Sequence, residues 1–406
     1  MEFTSFNELG LSSPVVGTMN RLGITVPTEV QSKVIPLALE GKDIAASAET
    51  GSGKTAAFLL PIIERLKHPG SLRAIILAPT RELVVQIEAN AKAYSRTARL
   101  RTVAVVGGES MTRQIKAIKA GADIIVATPG RLNDLVNQRL VPLKAIEVFV
   151  LDEADRMLDM GFFPQVRQLV AYLPKNRQTM LLSATFSSAV EKLSRELLIN
   201  PARVVAARTT TTVAKLTQKA FTVLSSHKES LLLALLKHHD EGTFLVFTRT
   251  KRTADRIAHT LTANRHSVAT LHSDRTQSQR NSALSSFREG RVRVLVATDV
   301  AARGIDVDHV SHVINYEVPA SAEDYVHRVG RTARAGRSGS ALTLVSPSEE
   351  PALGLIERAT GVNMERSRLQ GFSDGRSEEQ LRVMASLPKV ARPSFTRSFS
   401  PRRASR

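Results

Sequence analysis

The chain has no cysteine and no tryptophan, and only 4% of its 406 residues are aromatic. Without thiols, disulfides, thiolate metal sites and cysteine nucleophiles are all excluded, which fits a reducing compartment. So few rings leave little for base stacking, and any bound nucleic acid is expected to be held through phosphate and ribose. No apolar run approaches the ~20 residues a bilayer requires, and the longest lies near residues 231–236. The opening Met1-Glu2-Phe3-Thr4 lacks the basic start and apolar core of a secretory signal, so cytoplasmic residence is expected. Acidic residues are also scarce, 38 against 56 basic ones, for a formal net charge of +18. Such an excess repels itself, and a polyanionic partner is the usual compensation; a solvated basic surface is the plain alternative.

What is present is a phosphate-wrapping loop. Ala48-Glu49-Thr50-Gly51-Ser52-Gly53-Lys54-Thr55 follows a short apolar run, Ile44-Ala45-Ala46, and opens an amphipathic stretch with Phe58, Leu59, Ile62, Ile63 and Leu66. The spacing predicts a strand, a glycine turn and a helix N-terminus. Gly51 and Gly53 let successive N–H groups of Glu49, Thr50, Ser52 and their neighbours converge on one phosphate chain. Lys54 is placed to reach the β- and γ-phosphates, and the Thr55 hydroxyl to ligate Mg²⁺. An ordinary turn capping a helix is the competing reading of this motif taken alone.

Length favours two domains. Short β-branched runs alternate with helical patterns, predicting parallel sheets wound by helices. Strands are expected at 74–78, 103–106, 124–127, 148–151 and 180–182, and again at 220–223, 244–247, 268–271, 294–297, 312–315 and 341–345. We expect an N-terminal ATP-binding domain over residues 1–205, a linker at 206–217 and a second α/β domain over 218–365. Residues 366–406 are expected to form a disordered basic tail. Its last part, 389–406, carries six basic residues and no acidic one, which suits attraction to RNA; an inert solubilising extension is the plain alternative.

Chemistry gathers at the ends of expected strands, where ligands of parallel sheets bind. The run Val148-Phe149-Val150-Leu151 enters Asp152-Glu153-Ala154-Asp155. Carboxylates there are costly without a cation or a wet cleft. Asp152 is placed to hold Mg²⁺ and Glu153 to orient and deprotonate a water, unless the pair merely caps a helix. In the second half, Arg328, Arg331 and Arg334 recur at spacings of three, which suits one helical face pointing across a cleft, although taken alone they read as a solvated basic helix face.

These motifs, in this order, resemble the DEAD-box ATP-dependent RNA helicases, most closely a bacterial RhlE-like branch, over residues 3 to 365. The resemblance implies two tandem RecA-like domains, each a mostly parallel sheet flanked by helices, that share ATP and Mg²⁺ at their seam. It implies that Gln31 reads the adenine edge and Phe6 packs on its ring. Lys54, Asp152, Glu153, Arg331 and Arg334 would be catalytic, and Gly304 and Asp306 would touch nucleotide. Ser183, Thr185, Asp155 and His327 would couple hydrolysis to strand separation. Arg81, Gly108, Thr128 and Arg131, with Arg249, Gln277, Arg280 and Thr298, would contact RNA backbone without reading bases. Ribosome-assembly or RNA-decay partners are further expectations of the resemblance. Ala48, Ala333 and Ser273 stand where relatives often have glycine, and a methyl at Ala333 is expected to be tolerated on a helix. A DNA helicase on the same domains is disfavoured by Gln31 and Asp155, and a non-catalytic RNA clamp by the retained Glu153 and arginines.

Overall fold

Strands of four to seven residues, apolar on both faces, cannot leave either face in water, so they must be sandwiched between helices. The computed structural model describes residues 3–48, 51–206, 216–302, 310–333 and 338–373. Seven strands form a first sheet: β1 (Ile44–Ser47), β2 (Ala74–Leu77), β3 (Thr102–Val105), β4 (Ile124–Ala127), β5 (Val148–Leu151), β6 (Gln178–Ser183) and β7 (Ala202–Val205). A second comprises β8 (Leu216–Thr222), β9 (Phe244–Thr248), β10 (Val268–Leu271), β11 (Val294–Thr298), β12 (His312–Asn315), β13 (Gly339–Val345) and β14 (Glu365–Ser367).

The first sheet runs β3-β4-β2-β5-β6-β1-β7 and the second β10-β11-β9-β12-β13-β8-β14. Adding seven to each strand number turns one order into the other. Every pairing is parallel. The two halves are therefore one winding used twice, the tandem RecA-like architecture. Side chains of the first sheet alternate between two cores: Ile76, Val126 and Val150 join Phe58 on one face, while Leu77, Ile125 and Phe149 join Leu181 on the other. The helix Lys54–Leu66 buries Phe58, Leu59, Ile62, Ile63 and Leu66.

The edge strands β7 and β14 were not expected from sequence. Each is short and largely exposed, and β14 extends into residues 366–367, which were expected to belong to the disordered tail. Among the described residues no helix is long and apolar enough to cross a membrane.

Behind the second sheet, His312 opens β12 and stacks on Phe244 at 4.7 Å, with the His239 ring 4.5 Å away and Arg293 over Phe244 at 5.1 Å. Burial, reinforced by His239 and Arg293, pushes the imidazole from an ordinary 6.5 down to about 4. A histidine held neutral when folded but free to protonate when unfolded contributes stability above the unfolded value, and loses it as pH falls towards the folded one. The stability difference between wild type and His312→Gln, measured by denaturant unfolding, should therefore shrink between about pH 7 and pH 4.5. A constant difference would mean that His312 does not titrate in this way.

A candidate nucleotide and nucleic-acid site at the carboxyl edges

Strand order sorts the chemistry before any side chain is considered. At the carboxyl edge of the first sheet, β1, β5 and β6 lead into the phosphate loop, Asp152–Asp155 and Ser183–Thr185. On the other side of the same edge, β2, β3 and β4 lead into Arg81, Gly108 and Thr128. The second sheet repeats the division. Arg249, Gln277 and Thr298 follow β9, β10 and β11, whereas His327 and Arg331 follow β12. In each half the residues expected on nucleotide and those expected on nucleic acid thus fall on separate groups of strands.

The phosphate loop is braced by its neighbours. Gly53 has φ +92°, and a Cβ there would stand 2.4 Å from Gln31 Nε2 and 2.9 Å from Thr28 Oγ1. No other residue fits both demands. Gln31 is buried; its Nε2 donates to the Gly53 carbonyl at 3.1 Å and its Oε1 accepts from the Thr28 N–H at 2.9 Å. The residue expected to read a purine is thereby clasped to the loop that would hold its phosphates. Lys54 Nζ donates to the Ala48 carbonyl at 2.7 Å, and Ser52 and Thr55 are half-buried beside it. Phe6 differs from expectation: its ring is wholly buried in the first core, with no face left for a purine. Packing on adenine would require that ring to be uncovered.

Three carboxylates crowd the end of β5. Asp152 is 2% exposed, and burial pushes it up to about 7 although Lys54 pulls it down. Its Oδ1 accepts from the Glu153 N–H at 3.0 Å. Glu153 sits in the left-handed region at φ 53°, ψ 54°, a conformation costing roughly 1–2 kcal/mol for a residue with a side chain. Arg156 Nη1 stands 3.5 Å from its carboxylate. Asp155 Oδ2 accepts from the Ala184 N–H at 3.0 Å, the Thr185 N–H at 2.8 Å and the Thr185 hydroxyl at 3.1 Å. The Asp155 N–H donates in turn to Ser183 Oγ at 3.1 Å. The acidic strand end and the Ser183–Thr185 turn are one hydrogen-bonded unit.

The second half reaches this unit. Glu153, Asp155, Arg156 and Ala184 line a small cavity together with His327 and Arg331. The three-residue arginine spacing is not one helical face, however. The helix Ala322–Val329 stops at Gly330, so Arg331 lies beyond its end. Arg328 is buried instead, bidentate to Asp299 at 2.5 and 2.7 Å, bonded to Asn315, and packed 5.2 Å over the Phe247 ring. It positions the motif and does not face the cavity. Ala333 likewise is not helical: it has φ 56° in the left-handed region, where a methyl is strained. Glu49, Thr50, Gly304, Asp306 and Arg334 lie outside the described residues.

On the nucleic-acid side the halves also touch. Arg280 donates from Nε to Glu82 at 2.8 Å and from Nη2 at 2.6 Å, both side chains being largely buried. Gln277 accepts from Arg81 Nη1 at 3.3 Å. Glu82 carried no expected role, because only the tertiary arrangement brings residues almost 200 apart together. Arg280, expected on RNA, is committed here to the opposite half. Gly108 has φ +75°, and a Cβ there would collide with the Arg81 guanidinium at 2.1 Å. Arg131 donates to the Glu109 carbonyl at 3.1 Å, and Arg249 to the Val318 carbonyl at 3.3 Å. Thr128 and Thr298 are half-buried at the ends of β4 and β11.

Two RecA-like sheets, with a phosphate-loop sequence after β1 of one and Arg331 of the other lining a cavity beside its acidic strand end, define the class of tandem RecA-like nucleotide-dependent proteins. The "DEAD/DEAH box helicase" family model matches residues 28–193, and the "Helicase conserved C-terminal domain" model matches residues 227–336. The chain is 40% identical over 366 residues to the DEAD-box ATP-dependent RNA helicase CshA of Geobacillus kaustophilus, covering 90% of this chain and 78% of that one. Its structure resembles yeast Dbp5 bound to RNA and ADP BeF3, with TM-score 0.82 and 31% identity over 94% of this chain and 99% of that one. A variant of the same yeast protein, bound to Nup159, Gle1, IP6 and ADP, resembles it less, at TM-score 0.64 and 29% identity over 93% of this chain and all of that one. The chain belongs to the DEAD-box family of ATP-dependent RNA helicases.

Ala333→Gly should relieve the left-handed strain, partly offset by the entropy a glycine adds to the unfolded chain, for a net gain of about 0.5–1 kcal/mol. Equilibrium unfolding in denaturant measures it, and a destabilised variant would contradict the backbone assignment.

Proposed function

We propose that ATP hydrolysis in this helicase is carried out where the two halves meet, and that closing the halves around ATP and RNA distorts a short duplex locally. The observation that carries the reading is that Glu153 and Arg331, from opposite halves, line one cavity. The first half supplies Glu153 and Lys54, and the second half adds Arg331 to the cavity that Glu153 lines.

Thr55 and Asp152 offer hydroxyl and carboxylate oxygens, the hard donors Mg²⁺ takes, and the buried Asp152 needs more positive charge than Lys54 supplies. When bound, Mg²⁺ would screen the triphosphate and stabilise charge developing on it. Lys54 exchanges its bond to the Ala48 carbonyl for β- and γ-phosphate oxygens. Glu153 holds a water in line with the γ-phosphorus and accepts its proton. Arg331, with Arg334, meets the negative charge that spreads over the equatorial oxygens. Asp155, bonded to Ser183–Thr185 and lining the same cavity as His327, transmits the state of the site between the halves.

RNA lies along Arg81, Gly108, Thr128 and Arg131 of the first half and along Arg249, Gln277 and Thr298 of the second. Backbone amides, hydroxyls and guanidinium groups position phosphates without selecting bases. The RNA-bound yeast relative supports this path, and so does the matching division of both sheet edges. The helix Pro129–Asn137, with Arg131 in its first turn, is placed to bend the strand. A bent strand cannot stay stacked in an A-form duplex, and a few base-pair steps cost about 1.4 kcal/mol each by the DNA-derived figure.

Glu153→Gln should retain nucleotide binding while RNA-stimulated phosphate release falls about 10²–10⁴-fold, the usual range for a lost general base. Normal turnover in that variant would remove Glu153 from the mechanism.

A further inference from the structure

The excess positive charge is not evenly matched by carboxylates. Some exposed cations are paired, such as Arg167 with Glu196, Arg203 with Glu191 and Lys251 with Asp274. The helix Met111–Lys119 carries three that are not. Its inward face carries buried Gln114 and Ile118, with the Gln114 amide donating to the Val106 carbonyl at 2.9 Å. That fixes Arg113, Lys116 and Lys119 on the outward face, all exposed and in no ion pair among the described residues. Spacings of three put them in one row, about 9 Å long at 1.5 Å per residue. Arg96 and Arg99, exposed and also without a carboxylate, sit on the turn leading into β3, against which this helix packs. Three like charges in a row destabilise a helix by a few tenths of a kcal/mol per pair. A polyanion removes that cost.

The row also joins the RNA path. β3 is the outermost strand on the nucleic-acid side of the first sheet, and the helix follows it directly through Gly108. Arg131, on the RNA path, is bonded to the Glu109 carbonyl just before the helix. We propose that Arg113, Lys116 and Lys119 form a second RNA-docking surface, a ladder that holds the phosphate backbone of RNA continuing past the edge of the first half. It grips RNA flanking the strand in the cleft and tethers the helicase next to the duplex it opens.

The inference rests on the RNA path proposed above, and binding with two kinds of RNA separates them. A strand only long enough to cross both halves reports the path; the same strand extended at its 5′ or its 3′ end reports the ladder. Because the ladder lies at one end of the path, only one of the two extensions should raise affinity. In the triple variant Arg113→Gln/Lys116→Gln/Lys119→Gln that gain should disappear, while the short strand binds as to wild type. Three lost phosphate contacts should reduce the log–log salt slope on the extended strand by about 2, so the wild-type advantage falls roughly 20-fold between 50 and 200 mM salt. The charge-keeping variant Lys116→Arg/Lys119→Arg should behave as wild type. Equal slopes for wild type and triple variant on both extended strands would overturn the ladder, and so would loss of short-strand binding in the triple variant.

Discussion

Three carboxylates share the end of one buried strand, and the rest of the site is arranged around that crowding. Asp152, Glu153 and Asp155 follow β5, whose four residues are all buried. Charges so placed cannot persist without partners. Each has a different one. Asp152 faces Lys54, Glu153 faces Arg156, and Asp155 is wrapped by donors from Ser183–Thr185. The strained backbone at Glu153 aims its side chain into the cavity at the seam. Arg331, brought by the other half, lines the same cavity.

Why two copies of one winding make a motor follows from the strand order. In each sheet the residues proposed for nucleotide and those proposed for nucleic acid leave different groups of strands, and the division is the same in both. Contacts between the halves occur on both sides of that division. The buried Glu82–Arg280 pair on one side and the Glu153–Arg331 cavity on the other are two ends of that seam. Anything that tightens one end favours the other, which is the physical content of coupling between sites.

Much of this was legible in the sequence, and the failures have clear causes. The phosphate loop and the acidic strand end carry their chemistry in a few adjacent residues, so spacing alone located them. Central strands announced themselves as apolar runs, whereas β7 and β14, exposed at the edges, did not. The arginine spacing misled because a helical period is informative only while the helix lasts, and this one ends at Gly330. Arg328 was legible as a charged residue but not as the buried partner of a half-buried Asp299. Glu82 with Arg280, and Phe6 in the core, depend on tertiary packing that no local pattern encodes. Ala333 appeared harmless on a presumed helix and is strained off it.

The central claim is that the second half completes the first half's catalytic site. Single-turnover hydrolysis by Arg331→Ala, with RNA and ATP saturating, tests it most directly. The account predicts near-normal ATP affinity and a bound-state hydrolysis rate reduced on the order of 10³-fold or more. An unchanged bound-state rate, with any defect confined to ATP affinity, would contradict it.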